Sequence, residues 1–271
     1  MAKGPDTEAL AQELLALQET GGTVAPFSER YAQLSAAAGY AAATRLHALR
    51  VARGWRPVGR KIGFTNRTIW PRYGVFEPMW GTVCDRTLIT AQGGSATVPL
   101  AGLAQPRIEP EICFGLRATP PVTHDGEALL GAIEWVAHAV EIVQCHHPGW
   151  QLKIADCTAD NGLHGRLVLG TRVPVRELPD LAGRLPALEV ELRKGGTIVD
   201  RGRGVNVLGS PLEALAFLVE VLARQSAAPA LSPGEIVTTG TLTDAHPVVP
   251  GDRWSTALAG LPLPGLVVDF T

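Results

Sequence analysis

Paired cysteines, a charge imbalance and long apolar runs are what this sequence lacks, and each shortage removes a class of function. The four cysteines, Cys84, Cys113, Cys145 and Cys157, lie far apart with no C-x-x-C pairing. That argues against a zinc knot or a disulfide scaffold, and makes each most simply a small buried hydrophobe. Lys and Arg number 24 against 26 Asp and Glu, a formal charge of −2, so there is no electrostatic case for nucleic acid or an anionic membrane surface. The amino-terminal segment carries acids early and no apolar core of the signal-peptide kind. No later stretch reads as the roughly 20 apolar residues of a membrane span. A cytoplasmic protein with a small-molecule partner is the expectation. Nucleotide and nucleophile loops are missing too. Gly202 and Gly204 are not followed by a third glycine, since Val207 stands in its place. Neither a glycine loop ending in Lys-Ser/Thr nor a G-x-S-x-G elbow occurs, which disfavours nucleotide and serine-hydrolase chemistry.

What is there divides the 271 residues at about position 54. Residues 1–54 are Ala- and Leu-rich and read as two helices, 7–19 and about 28–53, interrupted at Gly21-Gly22 and Pro26. Ser28 is the expected cap of the second, and Tyr31, Leu34, Ala38, Ala41, Leu46 and Leu49 fall near helical spacing. Residues 55–271 read as a β-rich catalytic body. Short runs bounded by Gly and Pro predict strands at 57–64, 81–89, 107–116, 135–143, 167–169, 187–193, 197–205, 235–238 and 252–258. A hairpin is expected around Lys194-Gly195-Gly196-Thr197. One helix, 211–224, is predicted with Ser210 as N-cap, Pro211 at its first position and a stripe of Leu212, Leu215, Ala216, Val219 and Leu222.

The chemistry concentrates in Arg107-Ile108-Glu109-Pro110-Glu111-Ile112. Two carboxylates at i and i+2 of an extended segment point to one face, and their apolar flanks predict burial. Buried acids need a metal, a base or a shifted pKa. Glu141, in the apolar run Trp135–Val143, is the candidate third ligand for a hard divalent cation. His138, His146 and His147 offer a softer site of zinc type, ranked lower because adjacent side chains on a strand diverge. Lys61, flanked by Ile62 and glycines, is expected to be partly buried beside a cation with its pKa depressed into a useful acid–base range. The polar run 150–162, ended by Gly162, reads as a functional loop.

These motifs in this order resemble the fumarylacetoacetate hydrolase superfamily, in the branch of 2-keto-4-pentenoate hydratases and 4-oxalocrotonate decarboxylases. The resemblance rests on RKIGFT at 60–65, EPMWG at 77–81, RIEPEICF at 107–114, VEIV at 140–143, KIADCTADN at 153–161, VLGSPLEAL at 207–215 and GEIVTTGTLTDAHPVVPGD at 234–252. It implies an α+β fold, a mixed β-roll body with an N-terminal helical part. It also implies Mg2+ or Mn2+ on Glu109, Glu111 and Glu141, with Lys61 as the proton-moving residue beside a small 2-oxo acid. Homo-oligomers, or a complex with a related lyase subunit, go with the branch. Lys153, Asp160, Asn161 and Thr241 are the candidates for binding or orienting substrate. Met79 stands where a hydratase of the branch has an acid, and Leu163-His164 where serine is usual. The expected activity is a lyase reaction on 2-oxo or 2-hydroxydienoic acids from aromatic catabolism, hydration first and decarboxylation second. Two rivals are a C–C hydrolase of acylpyruvates using His146, His147 or His164, and a non-catalytic partner subunit.

Overall fold

The computed structural model describes residues 5–73, 75–226 and 228–271. Runs rich in Val, Ile and Thr between Gly and Pro build a body of sheet. The strands, in chain order, are β1 (Pro57–Gly63), β2 (Met79–Cys84), β3 (Leu88–Thr90), β4 (Ser95–Val98), β5 (Arg107–Leu116), β6 (Ile133–Val143) and β7 (His164–Leu169). They continue with β8 (Val173–Pro174), β9 (Glu189–Lys194), β10 (Thr197–Arg203), β11 (Ile236–Thr241), β12 (His246–Pro247), β13 (Arg253–Ala259) and β14 (Val267–Phe270). One sheet runs β2-β1-β11-β5-β6-β7-β3, with β12 on β5 and β8 on β6, and the second runs β10-β9-β13-β14-β4. The β1–β11 and β3–β7 pairs are parallel, while β5 pairs antiparallel with both β11 and β6. This is the expected α+β fold, a curled mixed β-roll with amino-terminal helices.

The helices are α1 (Thr7–Thr20), α2 (Phe27–Arg30), α3 (Ala36–Ala52), α4 (Trp70–Tyr73), α5 (Gly126–Leu130), α6 (Ile154–Ala159), α7 (Leu181–Arg184) and α8 (Pro211–Arg224). The single helix expected over 28–53 is broken, because Tyr31 is extended and Ser35 caps α3 by accepting from Ala38 N at 3.2 Å. Ser28 caps nothing. Its N–H and hydroxyl donate to the Asp156 carboxylate at 2.8 and 2.7 Å, a distant tertiary partner that wins over a local one. The run expected as a loop over 150–162 contains α6, on which α3 lies so closely that a Cβ on Gly39 would sit 2.1 Å from Thr158 Oγ1. The strand expected over 81–89 is interrupted at a turn in which Thr87 N–H donates to Cys84 O.

Helix α8 follows expectation: Ser210 Oγ accepts from Leu212 N, and Leu212, Leu215, Val219 and Leu222 join Ile112, Phe114, Val136 and Val237 in one core. By length and composition alone Gly204–Arg224 is apolar enough to cross a bilayer, contrary to the sequence reading, but 67% of that window is buried inside the fold. Its apolarity is what burial between sheet and loops requires. A second polar relay ties the N-terminal helices to the body. Buried Arg50 donates to Gln18 at 2.6 Å, Gln18 donates to Asp160 at 2.9 Å, and the second Asp160 oxygen meets His146 Nδ1 at 2.6 Å.

Candidate active site

Antiparallel pairing of β5 and β6 places Glu109 directly opposite Glu141. Directly opposed residues project from the same face of a sheet, and Glu111, two positions along β5, joins them. One ligand oxygen of each carboxylate lies within 4.8 Å of the others. Glu111 and Glu141 are fully buried, and Glu109 is half-buried at the edge of a cleft. Burial pushes Glu109 up to about 8, with Lys61 opposing and the charges of Glu141 and Glu111 adding to the rise. Burial and the neighbouring Glu141 charge likewise push Glu111 up to about 8. Burial also raises Glu141 against the pull of Lys61.

Each acid is held from behind. Glu111 Oε2 accepts from Gly240 N–H at 2.8 Å and from the Thr238 hydroxyl, while its Oε1 is buried with no hydrogen-bond partner. Gly240 has φ +98°, and a Cβ there would lie 2.1 Å from Thr65 Oγ1, so only glycine brings that N–H to the carboxylate. Glu141 Oε1 lies 2.7 Å from Nδ1 of buried His164, whose Nε2 meets Thr87 Oγ1 at 2.8 Å. Burial first, then the charge of Lys61, holds His164 well below its ordinary value, so the ring is neutral and fixes the carboxylate's orientation. A convergent, all-oxygen, dianionic or trianionic set with a dangling buried oxygen fits a hard divalent cation.

Lys61 reaches this cluster from β1. Its Nζ donates to Gly162 O at 2.9 Å and lies 3.1 Å from Glu141 Oε2, with the side chain 3% exposed. The sequence reading expected a depressed pKa. Burial does act in that direction, but the charges of Glu141, Glu109 and Glu111 outweigh it and hold the ammonium above its ordinary value.

The cleft in front of the acids encloses about 380 Å³. Its polar lining includes Lys61, Glu109, Arg107, Thr65 and Thr241, and its apolar wall Met79, Leu163, Phe64 and Trp150. Met79 and Leu163 pack into one small buried cluster with Cys157. The other predicted substrate contacts are not brought here. Lys153 is exposed and outside the lining, and Asp160 is spent on Gln18 and His146. The Asn161 amide pairs in both directions with the Thr82 backbone. Thr241 does line the cleft, its hydroxyl donating to Thr243 O at 2.9 Å. Among the described residues no histidine lines it, and the single cluster of metal-ligating side chains is the three glutamates. His138 sits between Glu111 O and Thr256 Oγ1, and His147 against Val24 O. The sequence reading gave Arg107 no role although it shares a strand face with Glu109 and Glu111; the i, i+2, i+4 spacing is the signal that could have found it.

A β-roll whose sheet face gathers three carboxylates beside a lysine, with Lys61 and Glu109 lining an open cleft, defines a class of protein. Residues 81–263 match the family model described as fumarylacetoacetate (FAA) hydrolase C-terminal, and the chain belongs to that family. It is 35% identical over 94% of each chain to 2-keto-4-pentenoate hydratase 1 of Dechloromonas aromatica (strain RCB). It is 32% identical, again over 94% of each, to 2-hydroxyhexa-2,4-dienoate hydratase of Comamonas testosteroni. Among solved structures, 4-oxalocrotonate decarboxylase from Pseudomonas putida G7, complexed with magnesium and adipate, superposes with TM-score 0.89 and 26% identity, covering 98% of this chain and 97% of that one. The same enzyme is also known complexed with calcium and acetate. Together with the acidic cluster, these neighbours point to a divalent metal.

Proposed function

We propose that this protein is a metal-dependent lyase of small 2-oxo and 2-hydroxydienoic acids, with hydration of a 2-keto-4-pentenoate-type substrate as its reaction. The observation that carries this reading is the convergence of Glu109, Glu111 and Glu141 beside the buried Lys61 ammonium. Glu109, Glu111 and Glu141 would hold Mg2+ or Mn2+, which when bound supplies Lewis acidity at the oxygens of a 2-oxo acid. The chain's own residues do the rest. Lys61 Nζ moves the proton: as the dienol loses its hydroxyl hydrogen, a proton reaches the far carbon and leaves a conjugated ketone, to which water then adds. Gly162 O and Glu141 hold that nitrogen at the cleft floor. The apolar wall excludes bulk water from the intermediate.

Decarboxylation of a 4-oxalocrotonate-type substrate is the second reading, and the buried Met79–Leu163 surface favours it, because no side chain there can hold a water over the distal carbon. Lys61→Ala separates the proton role from the metal role. Turnover of 2-hydroxypenta-2,4-dienoate should fall by about 10²–10⁴-fold while bound metal, measured by elemental analysis, stays near one per chain. Unchanged turnover would remove Lys61 from the mechanism. Assembly into homo-oligomers belongs to the same proposal and is tested by light scattering.

A further inference from the structure

Arg107 is a half-buried cation in the cleft whose charge acts on neighbouring Glu109 without forming an ion pair with it. Among the described residues no hydrogen bond or ion pair engages its guanidinium, which lies over the Trp150 ring, 4.2 Å from Cζ to the centroid. The other cation at the acidic centre is engaged: Lys61 faces Glu141 and Gly162 O. Arg107 is two residues from Glu109 on the same strand face, roughly 6.8 Å along β5.

The support around Arg107 is costly and specific. Trp150 and Gln105 both have left-handed backbones, at φ 59° and 47°. Such strain in non-glycine residues persists only where surrounding bonds enforce it, and it collects at functional sites. Here Gln105 Nε2 donates to Cys145 O and His147 O at 2.8 Å each, Gln105 Oε1 accepts from Gly149 N–H at 2.8 Å, and Trp150 Nε1 donates to Gln105 O. These bonds pin the 145–150 turn so that the indole lies against the guanidinium. A stacked guanidinium keeps its in-plane N–H donors free, in the fork geometry that matches a carboxylate.

We propose that Arg107, positioned by Trp150 and Gln105, binds the distal carboxylate of the substrate and makes this enzyme prefer dicarboxylic 2-oxo acids to monocarboxylic ones. The charges agree. Three glutamates, a divalent cation and Lys61 sum to zero, so that set holds no spare positive charge for a distal carboxylate, and Arg107 is the other cation lining the cleft. Asp244, exposed at the rim, is the one further carboxylate lining the cleft and lies outside this sum.

The inference rests on the 2-oxo acid reading and, within it, ranks a dicarboxylic substrate of the 4-oxalocrotonate type above the monocarboxylic pentenoate, which remains the weaker ligand of the same site; a binding measurement keeps the inference and the reading separable. Calorimetric titration of the Mg2+-loaded protein with 2-oxoadipate and with 2-oxohexanoate compares ligands of equal length that differ at the distal carboxylate. Wild type should bind 2-oxoadipate about 10–100-fold more tightly, the range of a charge-assisted bidentate bond. Arg107→Gln should erase that preference while leaving 2-oxohexanoate within about threefold, and Arg107→Lys should restore part of it because the charge survives and the fork does not. Equal affinity of wild type for the two ligands overturns the proposal, as does an equal loss of both in Arg107→Gln. If Arg107→Gln does not fold, the wild-type comparison decides alone. Failure of both ligands to bind overturns the 2-oxo acid reading itself. Discrimination without turnover of any dienoate would keep the Arg107 role and remove the lyase.

Discussion

Replacing Glu111 by glutamine should make the metal-free protein more stable and the metal-loaded protein less so. In the fold Glu111 is held at about 8 against 4.5 for a free carboxyl, chiefly by burial and by Glu141. Between those values the folded chain keeps a proton that the unfolded chain has lost, so metal-free stability falls as pH rises from about 4.5 to 8. Taken alone, that shift is worth at most ~4 kcal/mol at pH 8; because Glu109 and Glu141 share the crowding, ~2 kcal/mol is the working figure. The substituted amide cannot ionise, and its oxygen can still accept from Gly240 N–H and the Thr238 hydroxyl, the two bonds that aim Glu111. For a chain of this size ~2 kcal/mol is a rise of about 4–8 °C in Tm. Thermal melts in EDTA at pH 8 should show that rise, and at pH 5, where the wild-type acid is already protonated, it should vanish. With Mg2+ at about 100 times its Kd, wild type should gain ~2.7 kcal/mol and Glu111→Gln almost nothing. A metal-free Glu111→Gln that melts below wild type at pH 8, or that differs from it by the same margin at pH 5 and 8, would refute the reasoning.

Other perturbations follow from the same contacts. Buried His138 is held down to about 4 by desolvation. Below pH 6.5 the unfolded chain therefore takes up a proton the fold refuses, and stability present above 6.5 is lost towards pH 4, by ~3 kcal/mol. His138→Gln should flatten that acid limb in a pH series of urea melts; an unchanged slope would place the acid sensitivity elsewhere. Gly240→Ala meets Thr65 and forces a side chain onto φ +98°. It should destabilise by about 2–4 kcal/mol and lower metal affinity, because Glu111 loses its backbone donor; intact metal affinity would free Gly240 from that role.

The acids were legible because strand periodicity is local. Residues 107–116 form β5 with the bounds read from sequence, and Glu109 and Glu111 share a face by spacing alone. The register that brings Glu141 opposite Glu109 is set across some 30 intervening residues and could be suspected only from an acid inside an apolar run. The 153–161 segment misled for a different reason. Its polar residues are those of a loop, but Asp156 takes Ser28 and Lys153 N–H, Asp160 takes Gln18 and His146, and Asn161 takes Thr82. Polar groups that satisfy buried backbone and helix ends look the same in sequence as polar groups waiting for substrate. Strands β4 and β14 escaped notice because each is four residues long and they pair with one another from opposite ends of the body.

The most direct test follows purified protein with Mg2+ or Mn2+ and 2-hydroxypenta-2,4-dienoate by ultraviolet absorbance, with the product weighed by mass spectrometry. The account predicts metal-dependent loss of the dienoate chromophore, a product heavier by one water, and abolition of both by Glu109→Gln. Persistence of the dienoate with metal demonstrably bound to Glu109, Glu111 and Glu141 would contradict it.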